Sequence, residues 1–146
     1  MTTRRRILVG TDHERCPATA LEHAGTLAGP GGEVVLASVL VVPHSQPLTA
    51  ALDRAVASAC GMLDEAERAT PIAAGSFGTR VVRARSFAEG ILETLASEHF
   101  DLLMVERGTG APRNGGAGQI QALLEKADAT VMLVRPARGG RRPTFG

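Results

Sequence analysis

Apolar runs rich in branched side chains alternate with segments of helical periodicity along the chain, and this alternation constrains the fold most. The strand-like runs are RILVGT, EVVLASVLVV, GTRVVRA, DLLMVE and TVMLVRP. Between them, apolar residues recur at helical spacing in CPATALEHAGTLAG, PLTAALDRAVASACGMLDEAERA, FAEGILETLASEHF and GQIQALLEKAD. Strands that alternate with helices predict right-handed crossover connections and therefore a parallel sheet.

Four of the five strand-like runs are almost continuously apolar, which predicts that helices cover both faces of the sheet. The third run, GTRVVRA, is more polar and is expected nearer an edge. The predicted fold class is therefore α/β, a doubly wound, five-stranded parallel sheet. Such sheets bind ligands at the carboxyl ends of the strands, where the winding direction reverses. If strands one and four are the central neighbours, TDHERC and the glycine-rich segment 105–119 meet there.

Size and composition indicate one globular domain over residues 1–136 and a basic, flexible tail over 137–146. The start of the chain does not resemble a signal peptide, and no apolar run approaches the roughly 20 residues of a spanning helix. We therefore expect a cytoplasmic protein without membrane contact. Cys16 and Cys60 lack metal-ligand spacing and are expected to be reduced.

The net charge of +1 is unevenly distributed. Seven of the 16 basic residues are arginines near the two ends, so nine remain in the body with all 15 acidic residues, a net charge of about −6. The tail is expected to be solvated, with contact to an acidic partner or nucleic acid as the alternative. With no Trp, no Tyr and only four Phe, the chain offers no base-stacking platform, which argues against binding of single-stranded nucleic acid.

The segment VERGTGAPRNGGAGQ, residues 105–119, has the composition of an anion-binding loop. Its glycines allow successive backbone N–H groups to converge on an anion, and the helix that follows adds partial positive charge. Arg107 and Arg113 add charge, whereas Glu106 is expected to put a negative charge where phosphate oxygens would come near. The same composition is also typical of a flexible surface linker.

The other polar residues give little sign of catalysis. The stretch DHE at 12–14 with His23 is compatible with a divalent cation, but adjacent strand residues point apart, so we expect no resident metal. No serine has a paired histidine and acid in the sequence, and the only lysine is Lys126, late in the last helix. A phosphoryl-transfer enzyme is disfavoured without a phosphate-binding lysine, so no catalytic residue is predicted.

From Arg6 to Pro136 the chain resembles the universal stress protein family. The opening strand, aspartate and first helix of that family resemble ILVGTDHERCPATALEHAGTLA. The stretch that leads into its fourth strand resembles VVRARSFAEGILETLASEHFDLLMV, and its usual ending resembles ATVMLVRP. The resemblance implies a Rossmann-like sheet of order 3-2-1-4-5 and a homodimer formed through the last strand. Some members of the family bind ATP and others do not.

The nucleotide-binding members carry Gly, two residues, Gly, nine residues, Gly, then Ser or Thr after strand four. Gly108 and Gly118 match the second and third glycines of this pattern, while Val105 and Gln119 replace its two ends. The family's glycine-and-proline turn before helix three is also lost, since Arg85 and Phe87 lie there. The nucleotide motif is therefore degenerate.

The resulting hypothesis is a stress-response module that holds ATP or another adenine nucleotide, with Mg²⁺, weakly or in an altered mode, or holds none. Asp12 would contact the nucleoside, although a carboxylate there could instead cap the first helix. Thr11 and the backbone of Gly108, Gly118 and Gln119 would line the phosphate end. One of Val39, Leu40 and Val41, which end strand two, would pack on the base. Any hydrolysis is expected to be slow and incidental.

Two alternatives remain open at this point. One is a ligand-free dimeric interaction protein whose glycine segment is vestigial. The other is a small phosphoanhydride hydrolase that uses Asp12 and Glu14.

Overall fold

The computed structural model describes residues 5–12, 16–47, 52–69, 76–106 and 116–135, and these residues form alternating strands and helices. The elements, in chain order, are β1 (Arg6–Asp12), α1 (Ala18–Ala28), β2 (Glu33–Val41), α2 (Asp53–Ala69), β3 (Ser76–Ala84), α3 (Phe87–Ser97), β4 (Leu102–Glu106), α4 (Gly116–Lys126) and β5 (Thr130–Val134). All four strand pairs are parallel, and the sheet order is β3-β2-β1-β4-β5. The predicted fold class and strand order are confirmed.

The sheet separates two apolar cores because successive side chains of a strand point to opposite faces. Ile7 and Val9 of β1 belong to the core beneath α1 and α2. Leu8 belongs to the core beneath α3 and α4, where Phe87 and Leu123 pack. Strands β1, β2 and β4 are buried on both faces, which accounts for their continuous apolar sequences.

The two edge strands are more exposed than the central ones. β3 ends the sheet on one side and is mostly half-buried, as its polar sequence predicts. β5 ends it on the other side, where Met132 is 38% and Leu133 45% exposed.

Two helices differ in extent from the sequence expectation. α2 begins at Asp53 rather than at Pro47, since Pro47 and Leu52 are not helical and residues 48–51 lie outside the described part of the chain. α4 begins at Gly116, two residues before the expected start. The predicted tail, residues 137–146, and His13 and Glu14 also lie outside the described residues.

An arginine network joins the strands at the amino edge of the sheet. Arg6 Nε lies 2.6 Å from Glu33 Oε1, and its Nη2 lies 3.1 Å from Glu98 Oε1. Arg80 binds both oxygens of the same Glu98 carboxylate at 3.0 Å. Hydrogen bonds from Arg80 and then Arg6 lower the pKa of Glu98. The network ties β1, β2 and β3 to the turn after α3.

No helix in the described part of the chain is both long and apolar enough to cross a membrane.

Candidate functional site

The register of the sheet brings the ends of three strands together at its carboxyl edge. Thr11 pairs with Ser38 and Asp12 with Val39 between β1 and β2, and Gly10 pairs with Val105 between β1 and β4. The end of β1 therefore lies between the ends of β2 and β4, where the order of the strands reverses. This is the position at which doubly wound sheets leave a crevice for ligands.

Thr11 and Asp12 point to opposite faces at this edge. Thr11 follows Val9 on the α1–α2 face and is only 2% exposed. Asp12 lies on the α3–α4 face and is half-buried. Of these two adjacent candidates, Asp12 therefore has the accessible side chain, whereas Thr11 is nearly enclosed. Their contact with a ligand stays a prediction.

Val39 is fully buried, which the sequence alone did not indicate. It packs so closely under α3 that a Cβ added to Gly90 would lie 2.7 Å from its Cγ1 atom. Leu40 is also fully buried, and Val41 is half-buried. Of the three residues considered for contact with a base, Val41 is the one with exposed surface.

The glycine-rich segment lies partly outside the described residues, and Gly108 is among those not described. Val105, which replaces the first glycine of the family pattern, is fully buried in the core beneath α3 and α4. Gly118 lies in the first turn of α4. The side chain of Val105 thus fills core volume at the end of β4 instead of leaving the backbone open.

Gln119 forms a contact between two helices. Its Oε1 accepts a hydrogen bond from Ala88 N at 2.8 Å, across the interface of α4 with α3. Ser86 Oγ accepts from Glu89 N at 3.1 Å and is the N-cap of α3. Because the first N–H groups of a helix have no partner within it, Gln119 and Ser86 together satisfy two of those donors.

Glu106 does not lie where the sequence suggested. Its side chain is 4% exposed, and its Oε2 accepts a hydrogen bond from Ala20 N of α1 at 3.0 Å. The expectation that Glu106 puts a negative charge near the phosphate position of the glycine-rich segment is therefore wrong. Its carboxylate is directed beneath α1 instead. Sequence position could not reveal this contact, since Ala20 belongs to the first helix and Glu106 to the fourth strand.

Ser38 is a second feature that the sequence interpretation missed. It is fully buried, and it has the one buried side-chain polar atom without a hydrogen-bond partner among the described residues. It lies beside Thr11 on the α1–α2 face, so Ser38, Thr11 and Glu106 form a polar row across β2, β1 and β4. The available signal was a single hydroxyl inside the apolar run EVVLASVLVV.

Arg85 fixes the loop that follows β2. Its Nη1 donates to the carbonyl oxygens of Pro43 and Gln46, each at 2.6 Å. The arginine that stands where the family has a glycine-and-proline turn therefore connects the start of α3 to the loop after β2. Phe87, the other replacement, is 1% exposed and packs in the core.

The described residues contain no group of three or more His, Cys, Asp or Glu side chains that could hold a metal ion. Cys16 packs at the margin of the core beneath α1, where burial raises the pKa of its thiol and Glu65 and Glu106 raise it further. Cys60 is exposed on α2. The environment of Cys16 therefore disfavours a thiolate at neutral pH.

The parallel strands in the order β3-β2-β1-β4-β5, with helices on both faces, define a doubly wound α/β domain. The family model of the universal stress protein family matches residues 3–135, so the chain belongs to that family. No curated protein matches it.

Three solved structures with the same fold contain adenine nucleotides. A universal stress protein in complex with cAMP is 18% identical, with a TM-score of 0.61 over 93% of this chain and 100% of that one. The universal stress protein from Archaeoglobus fulgidus in complex with dAMP is 14% identical, with a TM-score of 0.60 over 92% and 100%. A family protein from Arabidopsis thaliana with AMP bound is 13% identical, with a TM-score of 0.60 over 91% and 92%.

Proposed function

We propose that this protein is a regulatory module that holds an adenine nucleotide, weakly or in an altered mode, at the carboxyl edge of its sheet. The observation that carries the proposal is the register that sets Asp12 beside Val39 and Gly10 beside Val105 at the switch point. Neighbours of the same fold that hold cAMP, dAMP and AMP support adenine as the common part of the ligand.

In this proposal Asp12 accepts hydrogen bonds from the nucleoside, and Val41, rather than the buried Val39, packs on the base. The backbone of Thr11, Gly108 and Gly118 lines the phosphate end. Gln119 joins them through its side-chain nitrogen, because its oxygen is already bonded to Ala88. Mg²⁺ would arrive with a nucleotide that carries several phosphates.

Thermal melting with AMP, ADP, ATP and cAMP, each with and without Mg²⁺, tests the proposal. A ligand at 100 times its dissociation constant adds about 2.7 kcal/mol, which raises the melting temperature of a domain of this size by roughly 5–10 °C. The protein has no Trp or Tyr, so nucleotide released on denaturation is also visible by its absorbance against a low background. The absence of any shift at millimolar nucleotide would overturn the proposal.

Asp12→Ala is the decisive variant. Loss of a hydrogen bond to a charged group costs about 1.5–3 kcal/mol, so we expect nucleotide affinity to fall roughly 10- to 150-fold. Asp64→Ala is the matched control, because it removes an exposed carboxylate from α2, away from the strand ends. Equal affinities of the two variants would remove Asp12 from the site. Sustained release of phosphate from ATP by the unmodified protein would favour the hydrolase interpretation instead.

The β5 edge supports a second part of the proposal, that two copies pair through the last strand. Met132 and Leu133 are exposed at this end of the sheet, and Leu124 of α4 is 55% exposed. Apolar side chains on an open strand edge are typical of a surface that another strand covers. The same surface would serve the ligand-free interaction protein.

Sedimentation of two arginine variants tests the pairing. Leu133→Arg places a charge on β5 and is expected to give a monomer. Val81→Arg is the control, because Val81 is also 45% exposed but lies on β3, at the opposite edge. Unchanged sedimentation of Leu133→Arg, with a dimer still present, would refute pairing through β5.

A further inference from the structure

The N-cap residue of α1 supplies no side-chain cap to the helix. Its N-cap is Pro17, which makes no side-chain hydrogen bond to the helix, and its first turn contains no acidic residue. A helix that follows the first strand of a doubly wound sheet is a common position for phosphate, because free N–H groups and the helix dipole attract an anion. The N-terminus of α1 is therefore the kind of position at which phosphate binds in this class of fold.

Glu106 supplies the missing group from β4. Its carboxylate accepts from Ala20 N at 3.0 Å, and the side chain is 4% exposed. Ala18 N donates to Cys16 O at 2.9 Å, so a second donor of the first turn is also satisfied within the chain. A negative charge thus lies in contact with the positive end of the α1 dipole.

The N-terminus of α3 is satisfied in a similar way but by neutral groups. Ala88 N donates to Gln119 Oε1, and Glu89 N donates to Ser86 Oγ. The difference is that α1 receives a full negative charge, which both binds the donor and repels a second anion.

We propose that Glu106 is a built-in anion that closes the N-terminus of α1 to phosphate. Ala88 N, at the N-terminus of α3, is engaged in turn by Gln119. The closure of α1 to anions does not depend on the proposed nucleotide function.

Removal of the carboxylate gives the test. Glu106→Ala opens a space in front of Ala20 N that matches the group removed, so acetate or inorganic phosphate should bind there. We expect either anion, compared with chloride at equal ionic strength, to raise the melting temperature of Glu106→Ala about 2–4 °C more than that of the unmodified protein. An equal gain for both proteins would overturn the proposal.

Two further variants separate closure from other effects. Glu106→Gln keeps an oxygen that accepts from Ala20 and fills the space, so it should gain no more from acetate than the unmodified protein does. Glu65→Ala removes a neighbouring carboxylate that is exposed on α2, so it should also gain no more. A gain by Glu65→Ala equal to that of Glu106→Ala would show a general charge effect and count against the proposal.

Failure to fold is also informative. If Glu106→Ala folds only when acetate or phosphate is present, as judged by circular dichroism, the anion has replaced the carboxylate and the proposal stands. If it folds in neither while Glu106→Gln folds, the space at α1 does not take an anion and the proposal fails. No nucleotide enters these measurements, so their outcome is independent of whether the unmodified protein binds AMP or ATP.

Discussion

Replacement of Gly90 by alanine tests how closely α3 packs on the sheet. A Cβ at this position would lie 2.7 Å from Val39 Cγ1, 3.0 Å from Val39 Cγ2 and 3.3 Å from Ala84 Cβ. Because both methyl groups of a fully buried, β-branched side chain are too close, rotation of Val39 cannot relieve the contact. The helix or the strand would have to move.

Gly61 provides the same substitution without the contact. It lies inside α2, and no atom lies within 4 Å of the position that its Cβ would take. Alanine is about 0.8–1 kcal/mol better than glycine inside a helix, so Gly61→Ala should raise the free energy of unfolding by about that amount. Overpacking costs about 1–3 kcal/mol, so after the helix gain Gly90→Ala should lower it by a net amount of up to about 2 kcal/mol.

Urea unfolding followed by far-ultraviolet circular dichroism measures both changes, since the absence of Trp and Tyr removes most intrinsic fluorescence. In thermal melts the two variants should move in opposite directions, by roughly 2–4 °C for each kcal/mol. If Gly90→Ala is stabilised as much as Gly61→Ala, α3 does not pack against Val39 as closely as we describe, and the reasoning is refuted. Val39 could then have exposed surface for a base after all.

Three other predictions concern single side chains. Ser38→Ala should raise the melting temperature by a few degrees, because an unpartnered buried hydroxyl costs about 1–3 kcal/mol, and a lower value would indicate a partner that alanine loses. The pKa of Glu98 is lowered first by Arg80, so this carboxylate should stabilise the fold above its unfolded pKa of about 4.3 and progressively less as the pH falls below that value. The difference in the free energy of unfolding between the unmodified protein and Glu98→Gln should therefore shrink in acid, and a constant difference would contradict this cause. A thiol reagent at neutral pH should modify exposed Cys60 before Cys16, whose pKa is raised by burial, and mass spectrometry of the separate peptides decides the order.

The parts of the fold that depend on local periodicity could be predicted from the sequence. Continuous apolar runs identified the buried strands β1, β2 and β4, and the polar run GTRVVRA identified β3 as an edge strand. The equally apolar run of β5 was wrongly expected to be covered on both faces, since this strand lies at the other edge and is mostly exposed. The position of Asp12 at the end of β1 followed for the same reason, since the apolar run stops there. The start of α2 was misplaced because helical spacing in the sequence continues before Asp53, while the chain does not become helical until that residue.

Contacts between distant elements could not be predicted in this way. Glu106 lies in the glycine-rich segment 105–119, and its neighbours in sequence associated it with a phosphate, yet its carboxylate binds Ala20 of α1. Gln119 seemed a substitute for a phosphate-binding hydroxyl, yet its oxygen binds Ala88 of α3. A side chain at a strand or helix end can reach several backbone donors, and only the packing of the helices on the sheet selects one.

The sequence by itself therefore determined the doubly wound architecture, because hydrophobic periodicity depends on neighbours along the chain. It also placed the candidate site, because parallel strands bring all their carboxyl ends to one edge. The tertiary structure alone decided which residues remain accessible there: Val39 is covered by α3, while Val41 keeps exposed surface. It alone decided the direction of the Glu106 carboxylate, because that direction depends on where α1 lies in space relative to β4.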